Sequence, residues 1–416
     1  MRMSELRTRT RKETPKDEQS LNAGLLVRAG YVDKLSAGVY SYLPLGLRVL
    51  KNIETIIREE MNALGAHELL LPALHPKENW EKTGRWGTMD DLYKVTDTSG
   101  REFALGPTHE EIIVPLVQKF ISSYKDLPTA LYQIQDKFRM ELRAKSGLLR
   151  GREFRMKDLY SFHTDDEKAF SLYYDRVKEA YKNIFRRAGI GEVTHLTFAS
   201  GGSFSEYSHE FQTITDAGED TIYLCDACGV AINDEIIATQ TKCPGCGADK
   251  QSLRKVRSIE VGNIFPLKTK FSEAFGLSYK DRDGSDKLVR MGCYGIGLGR
   301  LMGTIVEIHA DEKGLSWPSE VAPFSTHIIR IGDTLHVRQE ADSLYTELSH
   351  RNEDVFYDDR DDVSAGAKFA DSELIGVPRV VIVSEKNVAK GEYEVKERAT
   401  GTVSFAKKED LLRATG

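Results

Sequence analysis

Two constellations in this 416-residue chain have the residue types and spacing to do chemistry. The first is Cys225-x2-Cys228, then fourteen residues, then Cys243-x2-Cys246. Glycine follows each pair at once (Gly229, Gly247), so small residues let successive N–H groups turn toward thiolate sulfur. Four thiolates so spaced suit tetrahedral zinc, and four protein ligands leave no open position for a substrate or water, which makes such a site structural. Buried free cysteines are the alternative. Cys293 has no C-x2-C partner and reads as a buried apolar thiol.

The second constellation is residues 133–163, QIQDKFRMELRAKSGLLRGREFRMKDLYSFH. Lys137, Arg139, Arg143, Lys145, Arg150, Arg152, Arg155 and Lys157 are opposed there by Glu141, Glu153, Asp136 and Asp158, a basic tongue in a chain of net charge −6. Solvated charge on an exposed hairpin would account for the count, though not for arginines flanking Phe-Arg-x-Glu. Arg139 can fork onto a phosphate, Glu141 can accept from an amino group, and Phe154 offers a stacking face. Together they suit a nucleoside triphosphate. Further on, Gly292, Gly295, Gly297 and Gly299 let a strand and the following helix approach a ligand, with Arg300 projecting at the turn. In FALGPTHEE, residues 103–111, Thr108 can cap a helix with Glu111 as its capping-box partner.

These groups need a frame. Alternation predicts strands over 132–138 and 154–162, paired as an antiparallel hairpin. Leu50, Ile53, Ile57, Met61 and Leu64 predict an amphipathic helix over 47–64, stopped by Gly65 and followed by a strand over 67–71 that ends at Pro72. Phe170, Tyr173, Val177, Tyr181 and Ile184 predict a helix over 166–187. Residues 310–323 read as a polar, proline-punctuated linker. Beyond it strands over 326–331, 355–357 and 380–383 alternate with helices over 335–349 and 367–374, then a hairpin over 391–405 and a last helix, which is a small α/β domain. At 40% hydrophobic and 29% charged the composition is that of a globular protein, without an apolar run of the ~20 residues a membrane span needs. The N-terminus lacks the apolar core of a signal peptide, so a cytoplasmic protein in a reducing compartment is expected.

FRME, RGREF and MKD resemble motif 2 of the class II aminoacyl-tRNA synthetases, and LYQIQDKFR with RGREFRMKDLYSFH is similar to the bacterial-type prolyl-tRNA synthetases. MGCYGIGLGRLMGTIVE resembles motif 3, with GCYGIG particular to the prolyl branch, and the helix, strand and proline over 47–72 resemble motif 1. DDRDDVSAGAKFADSELIGVP resembles the anticodon-binding domain. The resemblance covers nearly the whole chain. It implies an α+β class II catalytic domain over 1–320, an antiparallel sheet flanked by helices; a zinc-ribbon-like insertion over 218–258 in place of the large editing domain; and an α/β anticodon-binding domain over 323–416. It implies that L-proline is activated with ATP, with Mg2+ bridging the phosphates, and passed to tRNA(Pro) by a homodimer formed through motif 1. Arg139 would hold the α-phosphate and the substrate carboxylate; Glu141, Arg150 and Phe154 would seat ATP, and Arg300 its γ-phosphate. Thr108 and Glu110 occupy the family's Thr-x-Glu loop, where two acceptors meet the two N–H donors of proline's secondary ammonium. Cys293 would line the proline pocket, as would Asn263, which stands where the family most often has histidine. Asp359, Arg360 and Lys368 would touch anticodon bases. Residues 201–208, GGSFSEYS, depart from the family's GSIGGSAS, and Val363-Ser364-Ala365-Gly366 replaces its RPG. Two alternatives stand beside this: a sister synthetase for threonine, serine, glycine or histidine, against which GPTHEE and GCYGIG speak, and a non-catalytic synthetase-like RNA-binding or regulatory protein, against which Arg139 and Arg300 speak.

Overall fold

The two strands of the hairpin are Thr129–Phe138 and Glu153–His163, antiparallel, with Tyr132 opposite Leu159 and Phe138 opposite Glu153. The structure, a computed structural model, describes all residues except 17, 143, 145, 203, 205, 206, 352 and 414–416. Arg143 and Lys145 of the tongue, and Ser203, Ser205 and Glu206 of the GGSFSEYS stretch, therefore lie outside the described residues. The tongue is less basic at its surface than its sequence suggests, because Lys137 and Lys157 are fully buried. Period-two alternation turns both inward, where each ammonium finds oxygen partners: Lys137 Nζ lies 2.7 Å from Asp158 Oδ1, and Lys157 donates to Tyr181 Oη at 2.6 Å and to the Tyr294 carbonyl at 3.0 Å. Arg155 pairs with Glu54 and Asp136.

Among the described residues the hairpin belongs to a nine-stranded sheet in the order Tyr207–Ile214, Thr194–Ser200, Ala231–Asn233, Asp220–Leu224, Arg254–Lys268, Arg290–Gly297, Glu153–His163, Thr129–Phe138, His67–Glu68. Pairing is antiparallel except at Ala231–Asn233 against Thr194–Ser200 and at His67–Glu68 against Thr129–Phe138. The strand expected over 67–71 is thus only two residues long. Leu69 N–H still reaches the Tyr132 carbonyl at 2.8 Å, but Leu71 N–H turns to the Gln133 side chain at 2.9 Å, so the chain leaves the ladder before Pro72. Helix Glu167–Arg187, capped by Asp166, lays Phe170, Tyr174, Val177, Tyr181, Ile184 and Phe185 on the sheet, with Tyr174 rather than Tyr173 as the more buried of the pair. Asp220–Leu224 and Ala231–Asn233 come from the cysteine-bearing insertion, so the insertion is built into the main sheet at its base.

The chain divides into two compact units: Ser36–Val39 with Glu54–Thr304, which holds this sheet, and Met1–Leu35, Tyr40–Ile53 and Ile305–Gly416. The division falls within the helices Pro44–Ala63 and Leu298–His309. All five apolar residues expected on the face of the first of these and at Leu64 beyond it are buried. The second unit has a five-stranded sheet in the order Val355–Asp358, Thr326–Ile331, Arg379–Ser384, Tyr393–Glu397, Val403–Ala406, its first three strands parallel. Val337, Ala341, Leu344 and Leu348 of helix Leu335–His350 pack on it. The linker expected over 310–323 is not a solvated spacer: Leu315, Trp317 and Val321 are buried, and Trp317 donates its indole N–H to Tyr31 Oη at 2.9 Å. Its few apolar side chains, spaced among polar ones, suffice to tie it down. No helix among the described residues is long and apolar enough to cross a membrane.

Candidate active site

One cavity, about 50 Å³ in volume, is lined by Arg139, Glu141, Arg150, Phe154, Asn263 and Arg300, together with Met156, Glu260 and Gly295. Sheet register brings them together, since Asn263 pairs with Gly295, Gly297 with Met156, and Phe154 with Lys137 two residues before Arg139. Gly295 has to be glycine for the floor to stay open, as a Cβ there would lie 2.8 Å from Asn263 Oδ1. The Arg139 guanidinium carbon lies 5.3 Å from the centre of the Phe154 ring, and its Nη2 donates to the Pro107 carbonyl at 3.4 Å. Arg139 Nε is buried without a hydrogen-bond partner among the described residues, and burial lowers the guanidinium below its ordinary basicity. A buried cation with an unused donor is a place for an anion. Arg150 donates to Glu141 at 2.8 Å and pairs with Glu219 at 3.0 Å; Arg300 donates to the Leu149 carbonyl at 2.8 Å and to Glu260 Oε2 at 3.1 Å.

Behind the Pro107 contact lies the Thr108–Glu110 pair. His109, not Thr108, is the residue before helix Glu110–Val117, and it makes no side-chain cap, so the capping box is not formed. Thr108 instead gives its hydroxyl proton to Glu110 Oε2 at 2.6 Å. With that proton committed, the hydroxyl can act only as an acceptor, and Tyr160 also lies in hydrogen-bonding range of it. Cys293 donates its thiol to Glu110 Oε1 at 3.2 Å, and burial, reinforced by the Glu110 charge, pushes that thiol well above the usual range so that it stays protonated. Beneath, Lys137 Nζ lies 2.5 Å from His109 Nδ1, and His109 N–H donates to Tyr160 Oη at 3.0 Å.

Sequence reasoning missed several groups here. Arg85, in a GRWG stretch without helical or strand period, is buried with Nη1 3.3 Å from Glu110 Oε2 and 3.0 Å from Glu111 Oε1. Glu260 is three residues before Asn263 and accepts from its amide at 2.8 Å, so the IEVGN stretch carried a usable signal. Near Glu260, Gln212 Nε2 donates to both Glu210 and Asp220 at 3.0 Å, while Gln212 Oε1 is buried without a partner among the described residues. Burial, then the charge of Glu260, pushes Glu210 up to about 8.

The four cysteines of the insertion converge. Cys225 and Cys246 have their sulfurs 3.6 Å apart, as do Cys228 and Cys243, and all four sulfurs lie within 4.8 Å of one another. A tetrahedron with Zn–S of ~2.3 Å has edges of about 3.8 Å, so the cluster has the size and donor set of a metal site. In the other unit Arg360 pairs with Asp358 and Asp371; Lys368 is buried and donates to the Arg330 carbonyl at 2.9 Å; and Asp359 accepts from Ser4 and Arg2. Arg330, Arg360 and Lys368 line one cavity of about 200 Å³.

Residues 93–309 match the tRNA synthetase class II core domain (G, H, P, S and T), and residues 321–414 match an anticodon binding domain. The chain is 38% identical to a proline--tRNA ligase of Anaplasma phagocytophilum over 427 residues, covering 99% of both chains, and 38% identical to one of Wolbachia pipientis with the same coverage. Against a proline--tRNA ligase of Syntrophus aciditrophicus it is 33% identical over an alignment of 555 residues covering 97% of this chain and 96% of that protein, so that relative carries a long stretch with no counterpart here. The prolyl-tRNA synthetase of Cryptosporidium parvum, solved with L-proline and AMP, superposes with a TM-score of 0.77 at 18% identity over 94% of this chain and 73% of that one, a likeness of fold. Full-length identity at this level, on a class II core followed by an anticodon domain, places the chain in the proline--tRNA ligase family.

Proposed function

We propose that the chain joins L-proline to ATP, releasing pyrophosphate, and passes the prolyl group from the adenylate to the 3′ end of tRNA(Pro). What carries this reading is Arg139, a buried guanidinium with an unused donor that stands between the cavity and the Pro107–Thr108 turn. The substrate carboxylate attacks the α-phosphate. Arg139 bridges both anions, neutralising charge and aligning the attack rather than moving a proton. Phe154 stacks the base, Arg150 and Glu141 line the nucleotide's path, and Arg300 takes terminal phosphate charge once it loosens from Glu260. Thr108 Oγ1 and Glu110 accept the two N–H bonds of the secondary ammonium. Asn263, on the wall of the Arg139 cavity opposite Gly295, would border the proline from the nucleotide side.

Magnesium, when bound with ATP, would neutralise phosphate charge. Zinc fits the four cysteines. Elemental analysis of freshly purified protein is expected to find about one equivalent of zinc, and Cys243→Ser to abolish it and raise hydrogen exchange over residues 220–250. Zinc-free wild-type protein would refute this assignment.

Arg360 and Lys368, lining one cavity with Arg330, would read anticodon bases, with Asp359 beside them. Leu70, 73% exposed in the motif 1 segment, and Leu74 just beyond it, 48% exposed, support a homodimer formed there, checked by sedimentation. The cytoplasm is the expected location. Proline-dependent ATP–pyrophosphate exchange, run beside threonine, serine and alanine, tests the reading: exchange that prefers a sister amino acid over proline would overturn it.

A further inference from the structure

We infer that Arg85 is a positioning residue that selects for the charged ring nitrogen of the substrate, by holding Glu110 and Glu111 in a buried triad one positive charge short of balance. The inference rests on the role given above to Thr108 and Glu110. Glu110 and Glu111 are both fully buried, neighbours at the start of one helix, and Arg85 Nη1 reaches each of them. Trp80, Phe204 and Phe271 surround the guanidinium with ring centres 5.3, 4.9 and 5.6 Å away, shutting out water and holding it in place.

The two acids are not equivalent. Glu111 takes two of the three Arg85 contacts, at 3.0 and 3.3 Å, and the Thr83 hydroxyl at 2.9 Å, so its carboxylate is satisfied internally. Glu110 takes one longer Arg85 contact at 3.3 Å, the Thr108 hydroxyl and the Cys293 thiol, and Oε1 retains a free lone pair. The nearby buried Lys137 is matched by Asp158. Within the triad one cation stands against two acids, the exposed Lys270 being a further cation that feels all three, and the lone pair left free belongs to Glu110. Burial already pushes Glu111 up to about 7 against the pull of Arg85. Removing Arg85 would leave two buried carboxylates side by side that can only share a proton, which spoils Glu110 as an acceptor. Neutralising Glu111 instead would hand Arg85 wholly to Glu110 and cancel the charge that draws the ammonium.

The test compares full-length wild type with Arg85→Ala, Arg85→Lys and Glu111→Gln in pyrophosphate exchange. Proline and ATP KM are measured, with inhibition by oxolane-2-carboxylate, in which the ring nitrogen is an uncharged oxygen. Arg85→Ala should raise proline KM by about thirtyfold or more and ATP KM by less than about threefold, with inhibition by the oxolane nearly unchanged. Arg85→Lys should recover part of the loss. The near-isosteric Glu111→Gln, expected to fold, should also raise proline KM by several-fold, an effect a merely structural Arg85 does not require. Unchanged proline KM in Glu111→Gln, or equal loss of proline and oxolane binding in Arg85→Ala, would overturn the inference while leaving proline activation intact. A wild type without proline-dependent exchange would fell the functional reading, and this inference with it.

Discussion

Replacing Arg139 by alanine is expected to slow proline-dependent pyrophosphate exchange by on the order of a hundredfold or more, a loss of roughly 3 kcal/mol in transition-state stabilisation. The size follows from where the side chain is. Its Nε is buried and unpartnered, its Nη2 makes one long contact to Pro107, and the Phe154 ring fixes its plane, so little of its hydrogen-bonding capacity is spent within the protein. The α-phosphate gains charge along the reaction, and a guanidinium already desolvated at that spot pays no reorganisation cost when it does. Arg139→Lys should recover little, because an ammonium cannot bridge a carboxylate and a phosphate as a fork. Arg300→Ala should fall in the same range with ATP KM raised as well, since Arg300 also ties the Leu149 carbonyl to Glu260. The check is steady-state exchange at varied ATP and proline. Near-normal rates for Arg139→Ala would remove the residue from the mechanism.

How much of this was legible in the sequence depended on whether a residue's role was local. The hairpin, the long helices and the order of the C-terminal elements follow from periods of two and 3.6, and the structure has them within a few residues. The cysteine pairs were legible because a metal site needs a fixed donor spacing, and their sulfurs do converge. What could not be read were charges whose partners lie far along the chain. Lys137 and Lys157 look like surface cations until Asp158, Tyr181 and the Tyr294 carbonyl are folded against them. Arg85 has no local pattern at all, and its partners are twenty-five residues on. The Thr108 capping box failed by one position: with His109 before the helix, the hydroxyl is directed to Glu110 rather than to a backbone N–H. Its partner is a side chain two residues on, which the geometry of helix ends does not reveal.

Alanyl-tRNA(Pro) is expected to survive incubation with the purified enzyme, although the enzyme should activate alanine at a measurable rate. Alanine is smaller than proline and fits any pocket that admits the ring, so it is rejected only through lost apolar contact, about 1–3 kcal/mol per methylene. The acceptors proposed at Thr108 and Glu110 would serve alanine as well, since its primary ammonium also offers N–H donors. Correction would need a second pocket. The family resemblance implies that such a pocket would sit in a large inserted domain, and the Syntrophus relative aligns over 555 residues where this chain has 416. Here the insertion gives two of its strands, Asp220–Leu224 and Ala231–Asn233, to the main sheet, and its four cysteines are gathered on one another. What is left is too small to enclose an ester and exclude water from it. Correction is then left to a separate protein or to a tight fit around Cys293, and widening that fit with Cys293→Ala should raise proline KM more than alanine KM. The deciding measurement is the half-life of preformed alanyl-tRNA(Pro) with and without enzyme: rapid, enzyme-dependent loss of alanine would mean that this chain holds a hydrolytic site.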